Sequence, residues 1–468
     1  MSDEMAIDAH TRTSIPVRNP ILALTASALS HAYRAGELSP VEVTEAALSQ
    51  IAEFDPQLHA FCETRADAAR VSAREAEARW LSGAPLSPLD GVPVSIKDHI
   101  DVMGFLAPNR GGPARQEESS FDSPCAARLR EAGAVMLGKT TMPELSVVPV
   151  TQTAAWGITR NPVDLAHSPG GSSGGAAAAV AAGMGAIAIG SDGGGSIRLP
   201  ASFTGTFGHK PTFGIVPYYP GQTDRTVAGP IARSCEDLAL AMDVIARPDG
   251  RDWTEQSRAD VRYADALRAP LPRLRIGFSA SFGFQKPDAE VLACVMRALG
   301  AFDTLGLEVE TFERLCDDPF MTYMRQATLR LRGRSASYRG PEAVGSVLRL
   351  ADTWSADDNQ RMIDARAKLA EDFFGAFQRF DVIVSPSAPF TAPRVGDFYP
   401  DGVITSEANR NLIGYAAPFN LVHLPAISIP CGRVNGLPVG LQLGGPRYSD
   451  AQLLQLAHRL SEVLCTVS

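Results

Sequence analysis

Residues 168–200 read SPGGSSGGAAAAVAAGMGAIAIGSDGGGSIRLP. Two serines in glycine frames, Ser172 and Ser196, stand on either side of an Ala-rich run. From Leu165 to Ser191 there is no Asp, Glu, Lys or Arg, and seven positions are Gly. Ala, Ser and Gly gain too little from hydrocarbon to enter a bilayer. The stretch therefore predicts a buried, tightly packed unit: a helix over Ala176–Ala182, then an apolar strand over Ala186–Ile189. Gly193, Gly194 and Gly195 directly precede Ser196, and such a run lets backbone N–H groups converge as an oxyanion hole requires. A plain glycine-rich surface loop is the alternative. The apolar flanks argue against it, because buried hydroxyls need partners.

Outward from this unit, short apolar strands alternate with helices. Ser39-Pro40-Val41-Glu42 is a capping box that opens a helix to about Phe54. A second helix spans about Arg65–Leu81, and Val92–Ile96 is a strand with Lys97 at its end. Pro124–Ala132 (helix) and Ala134–Leu137 (strand) follow, and Ser234 caps a helix to about Ile245. Further on come Leu274–Phe278, a helix Asp288–Leu305 and Leu307–Thr311. Strands at Val382–Val384, Ala426–Ile429 and Val439–Leu443 precede a closing helix from Asp450. The alternation predicts an α/β fold: a large mixed, mainly parallel sheet covered by helices on both faces. Residues 1–20 read as a loose arm and 21–468 as a single domain, with 313–357 a helical cover over a site.

Composition narrows the partners. Lys and Arg number 43 against 52 Asp and Glu, a net charge of −9, and 45% of residues are apolar. That apolar share buries a large core. An acidic chain without a basic block is a poor nucleic-acid or anionic-membrane binder. Seven scattered cysteines without a CxxC pair read as reduced thiols. The acidic start MSDEMAIDAH has no apolar signal segment. A cytoplasmic protein that needs no metal or other cofactor is expected, with a small-molecule partner and room for a homodimer.

Three pattern matches mislead. Gly133-Ala-Val-Met-Leu-Gly138-Lys139-Thr140 fits the P-loop expression, but its middle is a strand-like run preceded by a helix. Gly183-Met-Gly185-Ala-Ile-Ala188 follows a helix where a dinucleotide fingerprint needs a strand. Gly170–Gly174 fits the nucleophile-elbow pattern without the upstream strand. A Ser-His-Asp esterase would draw on His209, His423 or His458. His209 sits in a turn and His458 on an amphipathic helix; His423 is the less clear one.

Lys97, Ser172 and Ser196, spaced 75 and 24 residues apart, together resemble the Lys, bridging Ser and nucleophilic Ser of the amidase signature family. Gly138–Thr140, Asn161-Pro162, Ser168–Gly175, Ser196–Pro200, Gly208–Thr212, Gly229–Leu238, Asp381–Pro386 and Phe419–Pro446 also look like blocks of that family. The resemblance runs from about residue 22 to 463. It implies a Ser–Ser–Lys triad in which Ser196 attacks a carbonyl and Ser172 relays the proton to Lys97. It further implies a cis Gly171–Ser172 peptide and an oxyanion hole at Gly193, Gly194, Gly195 and Ser196. Ser173 and Gly171 would support the bridging serine, and Asp192 would pair with Arg198 to shape the glycine turn.

The implied reaction is hydrolysis of the C–N bond of small neutral or aromatic amides, anilides or carbamates, with esters within reach. The alternatives are an amidotransferase A-like subunit, working on glutamine with a partner protein, and a non-catalytic scaffold. The sequence departs from the pattern at Gly193, where a β-branched residue is usual, at His99, where Asn is common, and around Phe105–Gly112 and Thr141–Glu144. The chemistry sets one condition. A Lys base must fall from about 10.4 to about 7–8, which asks for roughly 3–5 kcal/mol of bias against the ammonium. Burial beside hydroxyls, away from carboxylates, supplies it. Few charges near the motifs, and many Leu, Phe, Tyr and Met residues in 313–357, favour an uncharged substrate.

Overall fold

The structure is a computed structural model that describes residues 14–108, 117–221, 224–256, 260–340, 342–396 and 407–467. Eleven strands form one sheet. In chain order they are β1 (Phe61–Thr64), β2 (Pro93–Lys97), β3 (Val135–Thr140), β4 (Ile187–Asp192), β5 (Phe207–Lys210), β6 (Val227–Ala232), β7 (Ile276–Phe278), β8 (Val309–Thr311), β9 (Val382–Pro386), β10 (Ala426–Val434) and β11 (Leu437–Gly444). Their spatial order is β1-β3-β2-β4-β6-β5-β10-β11-β9-β7-β8.

The sheet is mixed, as the alternation predicts, but the balance of directions differs. Parallel pairing joins β3-β2-β4 and β9-β7-β8. The remaining pairs, including the whole centre from β4 to β11, are antiparallel. The parallel strands are those linked by helices, such as Pro124–Glu131 between β2 and β3 and Gly174–Ala181 between β3 and β4. Of the central strands, β5 and β6 escaped the sequence reading because they carry Gly208, Gly229 and Pro230, which read as turn residues. In the structure those glycines permit close approach: a Cβ at Gly229 would sit 2.4 Å from the His209 carbonyl oxygen.

Period-two alternation places helices on both faces. Val94, Ile96, Ile187 and Ile189 face the helices Cys235–Ile245 and Asp450–Val467 through Leu238, Met242, Leu453 and Leu456. Ala188 and Ile231 face Ala176, Ala177 and Val180 of Gly174–Ala181. Val135 and Leu137 meet Leu48, Ile51 and Phe54 of Pro40–Leu58. That helix starts with the expected capping box at Ser39 and Glu42 and continues through Pro56. The helix expected over Asp288–Leu305 divides into Ala289–Ala298 and Gly300–Thr304.

Within the region 313–357, Phe320–Thr328 and Glu342–Asp352 are helices. Of the arm 1–20, residues 1–13 lie outside the described residues. The rest is tied down: the Ile15 N–H donates to the Pro162 carbonyl at 2.8 Å, and Gln50 Nε2 donates to the Pro16 carbonyl at 2.8 Å. Among the described residues no helix is long and apolar enough to cross a membrane.

Candidate active site

Alternation along β2 decides where Lys97 points. Val94 and Ile96 belong to the helix-covered core on one face, so Ser95 and Lys97 face the other, toward Gly174–Ala181. That helix can lie close because it is built from small residues; a Cβ at Gly175 would meet the Ala60 carbonyl oxygen at 2.5 Å. The uncharged segment is thus a buried, close-packed element, every residue of it from Gly174 to Val180 out of solvent.

Lys97 is wholly buried, and its Nζ lies 2.7 Å from Ser172 Oγ, 3.0 Å from Ser173 Oγ and 3.1 Å from Ser191 Oγ. No carboxylate approaches it within 4.0 Å among the described residues. Burial lowers its pKa to about 7, against the weaker upward pull of Asp192 and Asp98. The cause is desolvation of the ammonium, which three neutral hydroxyls replace poorly compared with water. Ser191 was not singled out in the sequence as a Lys97 partner. Its place beside Asp192 at the end of β4 is the signal that could have found it.

Ser172 follows a cis peptide from Gly171, as the resemblance implies. Ser173 locks the loop to β4: its N–H donates to the Ser196 carbonyl at 3.1 Å, its Oγ donates to the Ser191 carbonyl at 3.1 Å, and the Ser191 N–H donates back to its Oγ at 3.2 Å. Ser172 and Ser196 line one cavity of about 280 Å³. The Lys97–Ser172 link is formed, whereas no hydrogen bond joins Ser172 to Ser196 among the described residues. Such links often tighten only with substrate in place.

Each glycine of the 193–195 turn lies under a different side chain. A Cβ would meet Arg225 Nη1 at 2.5 Å from Gly193, the Tyr323 ring at 2.4 Å from Gly194, and Ala416 Cβ at 2.8 Å from Gly195. Gly195 also has φ +117°, open to glycine alone. One expectation needs correcting here. The Gly195 N–H donates to Asp192 Oδ1 at 2.7 Å, so it is committed to the carboxylate and cannot point at an oxyanion. The N–H groups of Gly193, Gly194 and Ser196 have no partner among the described residues.

Asp192 and Arg198 pair as expected, through Nε to Oδ2 and Nη2 to Oδ1, both at 3.0 Å. Burial would raise the Asp192 carboxyl, but Arg198 and the surrounding donors hold it well below the usual carboxylate range. Two partners lay beyond the motif. Asn420 donates to Asp192 Oδ1 at 3.0 Å, and Gln442 accepts from Arg198 Nη1 at 2.8 Å. The network fixes the glycine turn from the short helix Ala417–Leu421, which carries Asn420, and from β11, which carries Gln442.

None of the three candidate histidines lines the cavity. His209 sits 3.2 Å from Asp450, and His458 lies on the closing helix 3.8 Å from Glu462. His423 stacks on Phe213 and contacts the Asp224 carbonyl, and burial lowers its pKa to about 4. None of these three therefore supplies a Ser-His-Asp arrangement at this cavity; the histidine that does line it, His99, pairs through Nε2 with the Tyr218 hydroxyl. The P-loop match lies in β3 and in the turn before it, and Gly183 and Gly185 turn the chain from helix to strand with φ +71° and +119°. Among the described residues no three His, Cys, Asp or Glu side chains cluster as metal ligands.

The cavity walls are mostly apolar, with Met142, Leu145, Val147, Tyr323, Met324 and Val347. The expectation of few charges is corrected: Arg225, Arg330 and Arg334 also line it. They are distant from the serine motifs in sequence, so only folding brings them in.

Comparison with known proteins agrees with this geometry. The A-type subunit of glutamyl-tRNA(Gln) amidotransferase from Symbiobacterium thermophilum is 36% identical, over 94% of this chain and 96% of that protein. A bacterial aryl acylamidase of the amidase signature family superposes with TM-score 0.86 at 27% identity, covering 95% of this chain and 97% of that one. The 6-aminohexanoate cyclic dimer hydrolase gives 0.84 at 28%, with the same coverage. The Amidase family profile matches residues 42–454, and with that span and these strands and serines in place, the chain belongs to the amidase family of enzymes.

Proposed function

We propose that the protein hydrolyses amides through Ser196, Ser172 and Lys97. Neutral Lys97 accepts the Ser172 proton as Ser172 accepts that of Ser196, and Ser196 Oγ bonds to the substrate carbonyl carbon. The N–H groups of Gly193, Gly194 and Ser196 hold the oxyanion. The C–N bond breaks as the proton returns through Ser172 to the leaving nitrogen, giving a free amine and an acyl-Ser196 ester. Water then attacks that ester along the same relay and releases the acid.

One observation carries this reading: a fully buried amine against three serine hydroxyls, with no carboxylate at hand, opening on a cavity shared by Ser172 and Ser196. The apolar walls favour amides, anilides or carbamates with an aromatic or aliphatic body, and esters would pass through the same acyl-enzyme. The test is release of an aromatic amine from a panel of anilides and aryl carbamates by the isolated chain, with Ser196→Ala as control.

A second reading is favoured by the relatives, several of which are A-type subunits of that amidotransferase, with identities of 32–36%. On it, the same triad would take ammonia from glutamine only beside a partner protein. The cavity offers no Asp or Glu among its described lining residues to receive an amino acid's ammonium, which supports the first. Turnover of anilides by the chain alone favours hydrolysis; glutamine cleavage that appears only with a partner favours the second reading.

A further inference from the structure

Arg225 has no part in the proton relay, yet it stands in the wall of the same cavity. It is 8% exposed, its guanidinium lies 5.0 Å over the Tyr323 ring, and one η-nitrogen donates to the Gly193 carbonyl. Among the described residues its Nε is buried without a partner and no carboxylate lies within 4.0 Å. A guanidinium presents five donors in a planar fork suited to a carboxylate. Gly193 makes the room, since a Cβ there would strike Arg225 Nη1 at 2.5 Å. Arg330 and Arg334 add exposed positive charge to the cavity lining, in a chain whose net charge is −9.

We infer that the substrate carries a carboxylate, near enough to the scissile carbonyl to pair with Arg225. The inference rests on the hydrolase reading and narrows its substrate class. Arg225 is then a specificity residue: its unused donors bind the anion, and Arg330 and Arg334 draw it toward the cavity.

Two matched pairs of amides test this on the full chain. The 4-nitroanilides of succinic and 4-methylpentanoic acid differ by a carboxylate against an isopropyl group on the acyl side. The butyryl amides of 4-aminobenzoate and 4-isopropylaniline differ in the same way on the amine side. In at least one pair the carboxylate member is expected to show kcat/KM about tenfold higher or more. Arg225→Met brings that ratio close to one, Arg225→Lys keeps part of it, and the surface double variant Arg330→Gln, Arg334→Gln reduces it through KM.

A wild-type ratio at or below one in both pairs overturns the inference whatever the variants do. So does an Arg225→Met loss equal for both members of a pair, which would leave Arg225 a holder of the Gly193 turn. Failure of the hydrolase reading looks different: no member is cleaved and Ser196→Ala changes nothing. Calorimetric dissociation constants for the same pairs then decide the Arg225 question, with equal affinities counting against it.

Discussion

Lys97 and Lys210 are both fully buried, and burial lowers both to a pKa of about 7. Their surroundings differ. Lys97 touches three hydroxyls, of which those of Ser172 and Ser191 line the cavity, whereas Lys210 Nζ donates to the Pro211 carbonyl at 2.8 Å. Lys210 is further pushed down by Arg198 and pulled up by Asp192 and Asp450. A carbonyl can only accept, so Lys210 has no proton to take from it. A depressed pKa makes an amine able to act as a base; a neighbouring O–H and a route to substrate make it one.

Substitutions can sharpen or break that contrast. Removing the proposed nucleophile in Ser196→Ala should cost the most, roughly 10⁴–10⁶ in kcat, and should abolish labelling by a fluorophosphonate. Lys97→Met should lower kcat/KM by about 10³, the contribution of a general base, without a comparable loss of folded protein by circular dichroism. Asp192→Asn strips the counter-charge from buried Arg198 and should lower unfolding free energy by about 3–5 kcal/mol, read from urea titration. Lys210→Met should change kcat/KM least, within about threefold, as expected of a residue outside the reaction path. Equal losses of activity at positions 97 and 210 would erase the distinction.

The parts of the site that were legible in the sequence are those whose chemistry is local. Glycine frames single out Ser172 and Ser196 and a strand end places Lys97, while their joint role as a triad comes from the resemblance to the amidase signature family. The Asp192–Arg198 pair lies within one turn and was legible too. The roles of Ser191, Asn420 and Gln442 were not, because they depend on contacts set by how distant strands and helices pack together. The Gly195 N–H, which the resemblance places in the oxyanion hole, donates to Asp192 instead, because the turn's path decides which acceptor an amide faces. The arginines of the cavity come from two segments far apart in the chain, Arg225 from one and Arg330 with Arg334 from the other, and average composition conceals their convergence.

The most direct test is the pH dependence of Ser196 acylation by a fluorophosphonate. Only the neutral amine can accept the proton, so the rate should level off above about pH 7 and fall about tenfold per unit below it, with that inflection gone in Lys97→Met. A rate that keeps climbing toward pH 10, where an ordinary lysine loses its charge, or an inflection that survives the substitution, would contradict it.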